Sequence, residues 1–149
     1  RVCYGGLDLS STTDLTCFCL VFPPEDESEP YYILPYYWLP EETLLLRVNR
    51  DHVPYDVWEW QGYIQTTEGN VVYYGFIEKF IESLGEKYNI REIAFDRWGA
   101  IQMVQNLEGM GFTDVPMGQG FASMRPPTKE LMKLSMIVYG YTWLAIFHC

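Results

Sequence analysis

The sequence predicts a mixed α/β domain built on a five-stranded sheet, with three antiparallel strands first and parallel βαβ additions after them. Two observations lead to this prediction. Three segments dense in β-forming residues follow one another through short connections within the first 39 residues. Amphipathic helical patterns then alternate with short apolar strands, an order typical of crossovers that cover both faces of a sheet with helices.

The first three strands are recognisable from their apolar residues and from the breakers that end them. The chain opens with RVCYGGLDL, a strand interrupted by two glycines. Residues 15–22, LTCFCLVF, form a second strand ended by two prolines, and residues 31–39, YYILPYYWL, form a third after an acidic loop. Their short connections predict an antiparallel meander.

Helical periodicity dominates the second half of the chain, after an irregular span (residues 40–70) in which PEETLLLR is expected to form a helical turn. Apolar residues at i, i+3 and i+4 predict a helix over residues 76–88. A short strand (90–96), a second helix, AIQMVQNLEGMGF, and a fifth strand (113–118) follow.

A third helix is predicted from PPTKELMKLSMI, with its prolines placed in the first turn. The resulting order, β-β-β-α-β-α-β-α, is the order of elements in the ribonuclease H-like fold. We expect a single domain over residues 1–149, with an atypical or truncated part at about 135–149.

Composition and charge limit the classes of function. The 149-residue chain carries ten basic and twenty acidic residues, a net charge of −10, which disfavours binding nucleic acid mainly through a basic surface. This negative charge is still compatible with a cluster of carboxylates that binds a divalent metal. The sequence has no apolar run of roughly 18 residues and no secretory pattern, so we expect a cytoplasmic protein without a membrane partner. The four cysteines lack zinc-site spacing and are expected to be buried free thiols.

Two aspartates end predicted strands that should be neighbours. Asp8 ends the first strand and Asp96 ends the fourth. An isolated aspartate at a strand end is usually a turn or cap residue, but in the ribonuclease H-like topology these two strands are adjacent and parallel. Their carboxylates would lie about 5 Å apart and repel each other unless a cation intervened. Mg²⁺ or Mn²⁺, which prefer oxygen ligands, would meet that need.

Five motifs in order carry a resemblance to a known family: YGGLDLSSTTDLT, WLPEE, VPYDVW, FDRWGA, and GQGFASM followed by PPTKEL. Together they resemble the nuclease domain of a tailed-bacteriophage terminase large subunit over residues 1 to about 134. The resemblance implies an endonuclease that cuts concatemeric double-stranded DNA during genome packaging by two-metal hydrolysis. It also implies partners: the packaging ATPase domain, the small terminase subunit and the portal protein, in the host cytoplasm. The chain has no GxxxxGK[ST] phosphate loop, so we expect the nuclease half alone.

The resemblance gives individual residues a role. Asp8 matches the first catalytic aspartate and Asp96 matches the second. Because Asp8 lies on the central strand, we expect it to be the bridging metal ligand and Asp96 to be a flanking one. The third acid is expected in a late segment resembling KIDG, which this chain lacks, so we expect one well-held metal at most. Ser10, Ser11 and Arg97 are predicted to contact the nucleic acid.

Three alternatives remain beside this interpretation. Glu78 and Glu82 on the first long helix, or Glu59, could substitute for the missing acid, although a solvated helix face is the better explanation of the first two. The DLSSTTD stretch resembles the phosphate loop of sugar kinases and actin-like ATPases, but those folds need a second such domain. Without a third acid, the domain could also be a non-catalytic module that docks onto DNA or the portal protein.

Overall fold

The computed structural model describes residues 1–10, 14–26, 28–96, 100–137 and 145–146. Its strands are β1 (Val2–Asp8), β2 (Thr16–Phe22), β3 (Tyr32–Pro40), β4 (Gln65–Thr67), β5 (Asn89–Asp96), β6 (Asp114–Met117) and β7 (Ala145–Ile146). Its helices are a 3₁₀ turn (Glu41–Thr43), α1 (Leu44–Asp51), α2 (Tyr55–Trp60), α3 (Tyr74–Lys87), α4 (Ile101–Gly109) and α5 (Phe121–Ile137). None of the helices in these ranges combines the length and apolar character needed to cross a membrane.

The sheet has the order β4-β3-β2-β1-β5-β6, and β7 lies beside β3. The strands β1, β2 and β3 pair antiparallel, whereas β5 pairs parallel with β1 and β6 pairs parallel with β5. This topology confirms the predicted ribonuclease H-like α/β fold. The described part of the sheet has seven strands rather than the predicted five. The sequence did not reveal β4 and β7, because they contain only three and two residues, too few to show a periodicity.

The core lies on one face of the sheet, beneath α3 and α4. Alternating residues of β1 and β2 point to this face, where they meet the apolar stripes of the two helices. Its fully buried members include Cys3, Phe18, Leu20, Trp38, Ile77, Ile81, Ile93 and Leu107. Gly5 is needed here, because a Cβ at this position would lie 3.0 Å from the Phe18 ring and 3.1 Å from Ile93 Cγ1. Gly5 is therefore required for core packing and does not interrupt the strand.

The start of α5 differs from the sequence prediction. The helix begins at Phe121, so Pro126 and Pro127 lie inside it rather than in its first turn, and that prediction was wrong. A proline in this position cannot donate a hydrogen bond to the carbonyl four residues earlier. The carbonyls left without this donor are those of Ala122 and Ser123, and water can satisfy them because the segment is exposed.

Candidate metal centre

Asp8 and Asp96 lie side by side at one end of the sheet. In the parallel ladder of β1 and β5, Leu7 is the partner of Phe95, and the next residue of each strand is the aspartate. Neighbouring strands are about 4.8 Å apart. Both aspartates alternate with core residues, so they lie on the face opposite α3 and α4. The structure therefore brings together the two acids that the sequence singled out.

The two aspartates share an open cleft of about 340 Å³. Asp8 is exposed and Asp96 is half-buried, so solvent and a ligand can reach this end of the sheet. The other walls are largely apolar and include Cys17, Met117 and Met124, with Gln119 as an uncharged polar side chain. Met124 belongs to α5, which places part of that helix beside the face of the sheet that carries the aspartates.

The donor set fits one divalent cation. Carboxylate oxygens are hard ligands, and Mg²⁺ is commonly held by one or two carboxylates while water completes its coordination. Within the described ranges, no group of three or more His, Cys, Asp or Glu side chains is placed to hold a metal. Asp8 and Asp96 can thus supply an open site for one ion, and the described residues do not complete a closed cage.

Cys17 is the cross-strand partner of Asp8 and was not recognised from the sequence as part of the cleft. Burial, with smaller contributions from the neighbouring Cys19 thiol and the Asp8 carboxylate, raises the pKa of its thiol to about 12. The thiol is therefore protonated at neutral pH and is not a ligand for Mg²⁺. Cys3 is a buried free thiol as expected, whereas Cys17 and Cys19 are free but only half-buried; Cys149 lies outside the described residues.

A compact hydrogen-bond arrangement follows Asp8. The Thr16 hydroxyl accepts the Ser10 N–H at 3.1 Å and donates to the Ser10 carbonyl at 3.0 Å. The Ser10 hydroxyl oxygen in turn accepts the Asp14 N–H at 2.9 Å. Ser10 is therefore fixed two residues after Asp8, although it is not among the residues that line the cleft. Ser11 and Arg97, the other predicted nucleic-acid contacts, lie outside the described residues.

The glutamates considered as substitutes for the missing acid do not join the cleft. Glu78 accepts a hydrogen bond from Asn106 Nδ2 at 2.9 Å, which ties α3 to α4 on the core side of the sheet. Glu82 lines a separate surface depression with Arg1 and Phe112. Glu59 lies on α2 and is not among the residues that line the cleft.

A mixed sheet of this order, with acidic residues ending its two adjacent central parallel strands, defines a ribonuclease H-like domain. Residues 1–138 match the family of terminase large subunit endonuclease domains. The chain belongs to that family.

Two relatives and one solved structure are similar to this chain. The chain is 36% identical over 138 residues to the terminase large subunit of Enterobacteria phage HK97, covering 91% of this chain and 27% of that protein. It is 23% identical over 135 residues to protein YmfN of Escherichia coli K12, covering 87% of this chain and 30% of YmfN. The crystal structure of the HK97 large terminase superposes with a TM-score of 0.80 at 33% identity, over 97% of this chain and 30% of that one. The chain thus spans less than a third of the length of these relatives.

Proposed function

We propose that this domain is a divalent-metal-dependent DNA endonuclease of a phage packaging terminase, and that Asp8 and Asp96 are its catalytic metal ligands. The observation that carries the proposal is their position at the ends of adjacent parallel strands, in one solvent-accessible cleft. Membership of the terminase endonuclease family supports the same reaction class.

The side chains of the cleft have complementary tasks in this proposal. Asp8, on the central strand, and Asp96 would hold Mg²⁺ or Mn²⁺, which supplies Lewis-acid polarisation of the scissile phosphate when bound. Gln119 offers two amide N–H donors to phosphate oxygens, and Met117 and Met124 form part of the apolar wall of the cleft. Ser10, Ser11 and Arg97 remain our proposed contacts to the DNA backbone.

The proposed substrate is concatemeric double-stranded DNA in the host cytoplasm. Because the chain is acidic, a bound cation would have to compensate part of the repulsion between the cleft and the phosphate backbone. The proposed protein partners are the packaging ATPase domain, the small terminase subunit and the portal protein.

A plasmid-cleavage assay tests the proposal. Supercoiled DNA is incubated with the purified chain in Mn²⁺, in Mg²⁺ or with excess chelator, and nicked and linear products are quantified on a gel. We expect metal-dependent cutting that Asp8→Asn and Asp96→Asn abolish. Asp26→Asn is the matched control, because it removes the same charge from an exposed loop and should leave cutting unchanged. A folded wild-type chain that cuts in neither metal contradicts the proposal.

A non-catalytic docking module is the second candidate. The specific observation in its favour is that no third acidic or histidine ligand joins Asp8 and Asp96 within the described ranges. In that case the wild-type chain would bind DNA or the portal protein without cutting, and Asp8→Asn would not change the binding. If the wild-type chain cuts DNA and Asp8→Asn abolishes the cutting, the nuclease proposal is favoured over the docking module.

A further inference from the structure

Thr16 is the first residue of β2 and lies where the antiparallel pairing of β1 and β2 ends. The antiparallel pairing of β1 and β2 ends with Asp8 opposite Cys17, and an unbroken ladder would next pair Leu9 with Thr16. Instead, the Thr16 side chain takes both backbone groups of Ser10, accepting its N–H at 3.1 Å and donating to its carbonyl at 3.0 Å. The first residues after Asp8 are therefore fastened by a hydroxyl group rather than by a backbone partner.

This hydroxyl is held in an unusually defined position. Thr16 is 0% exposed and lies on the core face of β2 with Phe18 and Leu20. Its branched Cβ restricts χ1, and a buried hydroxyl that both donates and accepts has little freedom to rotate. Ser10 also receives the Asp14 N–H on its own hydroxyl, so it is fixed through its backbone and its side chain.

We propose that Thr16 is a positioning residue for the metal centre formed by Asp8 and Asp96. By fixing Ser10, two residues beyond Asp8, it fixes the direction in which the end of β1 presents the Asp8 carboxylate. This inference rests on the proposed function, because Thr16 has this role only if Asp8 binds a metal. Residues that orient a metal ligand without touching the metal affect the affinity for that metal, because the ligands must be held within a fraction of an ångström of their binding geometry.

Mn²⁺ titration of the whole chain by calorimetry tests the role of Thr16. Thr16→Val keeps the side-chain shape but removes both bonds to Ser10, and we expect Mn²⁺ to bind about ten- to a hundredfold more weakly. Thr16→Ser retains the hydroxyl and should restore most of the affinity. Thr43→Val is the matched control, because the threonine–backbone bond that it removes goes to the Pro40 carbonyl (3.1 Å) at the end of β3 and not to the residues that follow Asp8. Its Mn²⁺ affinity should equal that of the wild type.

The outcomes separate this inference from the proposed function. If Asp8→Asn loses Mn²⁺ but Thr16→Val binds it like the wild type, Thr16 has no positioning role and the metal centre stands. If the wild type binds no better than Asp8→Asn, the metal centre itself is overturned, and the role of Thr16 with it.

A second measurement needs no variant and so does not depend on whether Thr16→Val folds. Because coupling between two sites is reciprocal, Mg²⁺ should slow hydrogen exchange of the Ser10 amide in the wild-type chain. Exchange that stays unchanged at saturating Mg²⁺ overturns the inference.

Discussion

Asp114 lies near Glu108 with both of its own carboxylate oxygens buried and without a hydrogen-bond partner in the described part of the chain. Asp114 pairs in register with the core residue Ile93, so its side chain is on the side of the sheet that α4 covers. Burial and, to a smaller extent, the negative charge of Glu108 together raise the pKa of the Asp114 carboxyl from 3.8 to about 6. The folded state therefore holds this proton more tightly than the unfolded chain does.

The pH dependence of stability follows from that difference. Since the folded pKa is the higher one, the protonated group favours folding below about pH 4, and this contribution is lost as the pH rises through about 6. Asp114→Asn should therefore raise the free energy of unfolding by about 1 kcal/mol at pH 8 and leave it nearly unchanged at pH 4. Urea unfolding of both proteins at the two pH values measures this; an equal effect at both contradicts it.

Thr67 and Thr43 form a matched pair for hydroxyl groups. Thr67 is 5% exposed, and its hydroxyl has no hydrogen-bond partner among the described residues, whereas the Thr43 hydroxyl donates to the Pro40 carbonyl. Replacing a buried unsatisfied hydroxyl by a methyl group removes a desolvation cost. We expect Thr67→Val to stabilise the fold by about 1 kcal/mol and Thr43→Val to destabilise it by about 1 kcal/mol. Urea midpoints that shift in the same direction for both variants would contradict this.

Gly5 and Gly6 differ in the space that surrounds them. A Cβ at Gly5 would press on the fully buried Phe18 and Ile93, whereas one at Gly6 would meet nothing within 4 Å. Gly5→Ala should cost about 1–3 kcal/mol through overpacking. Gly6→Ala is the control and should be within about 0.5 kcal/mol of the wild type. Chemical denaturation of both variants measures the difference, and equal losses would show that the core does not depend on this close approach.

The parts of the fold that the sequence predicted are those in which buried side chains recur at a regular spacing along the chain. The alternation in β2 and the i, i+4 spacing of Ile77 and Ile81 in α3 both record a core-facing side. Short elements such as β4, β7 and α2 leave no such record, and the prolines of α5 pointed to a later helix start than the structure has.

The candidate site divides in the same way. Asp8 and Asp96 stand out in the sequence because each ends an apolar strand, and the order of elements predicted that these strands are neighbours. Cys17 and Gln119 join the cleft through strand register and the path of the chain after β6, which no local pattern displays. The role of Thr16 depends on where the ladder of β1 and β2 ends, and that too is set by tertiary structure.

Metal binding should stabilise the folded chain through Asp8 and Asp96. A ligand that binds only the native state adds RT ln(1 + [L]/Kd), about 2.7 kcal/mol at a hundredfold excess over Kd. Thermal unfolding of the wild type should therefore shift upward with Mn²⁺ and return to the metal-free value with excess chelator. Asp8→Asn and Asp96→Asn should not respond, whereas Asp26→Asn, in an exposed loop, should respond like the wild type. If Mn²⁺ raised the unfolding temperature of Asp8→Asn as much as that of the wild type, the ion would bind elsewhere on this acidic chain and not in the cleft.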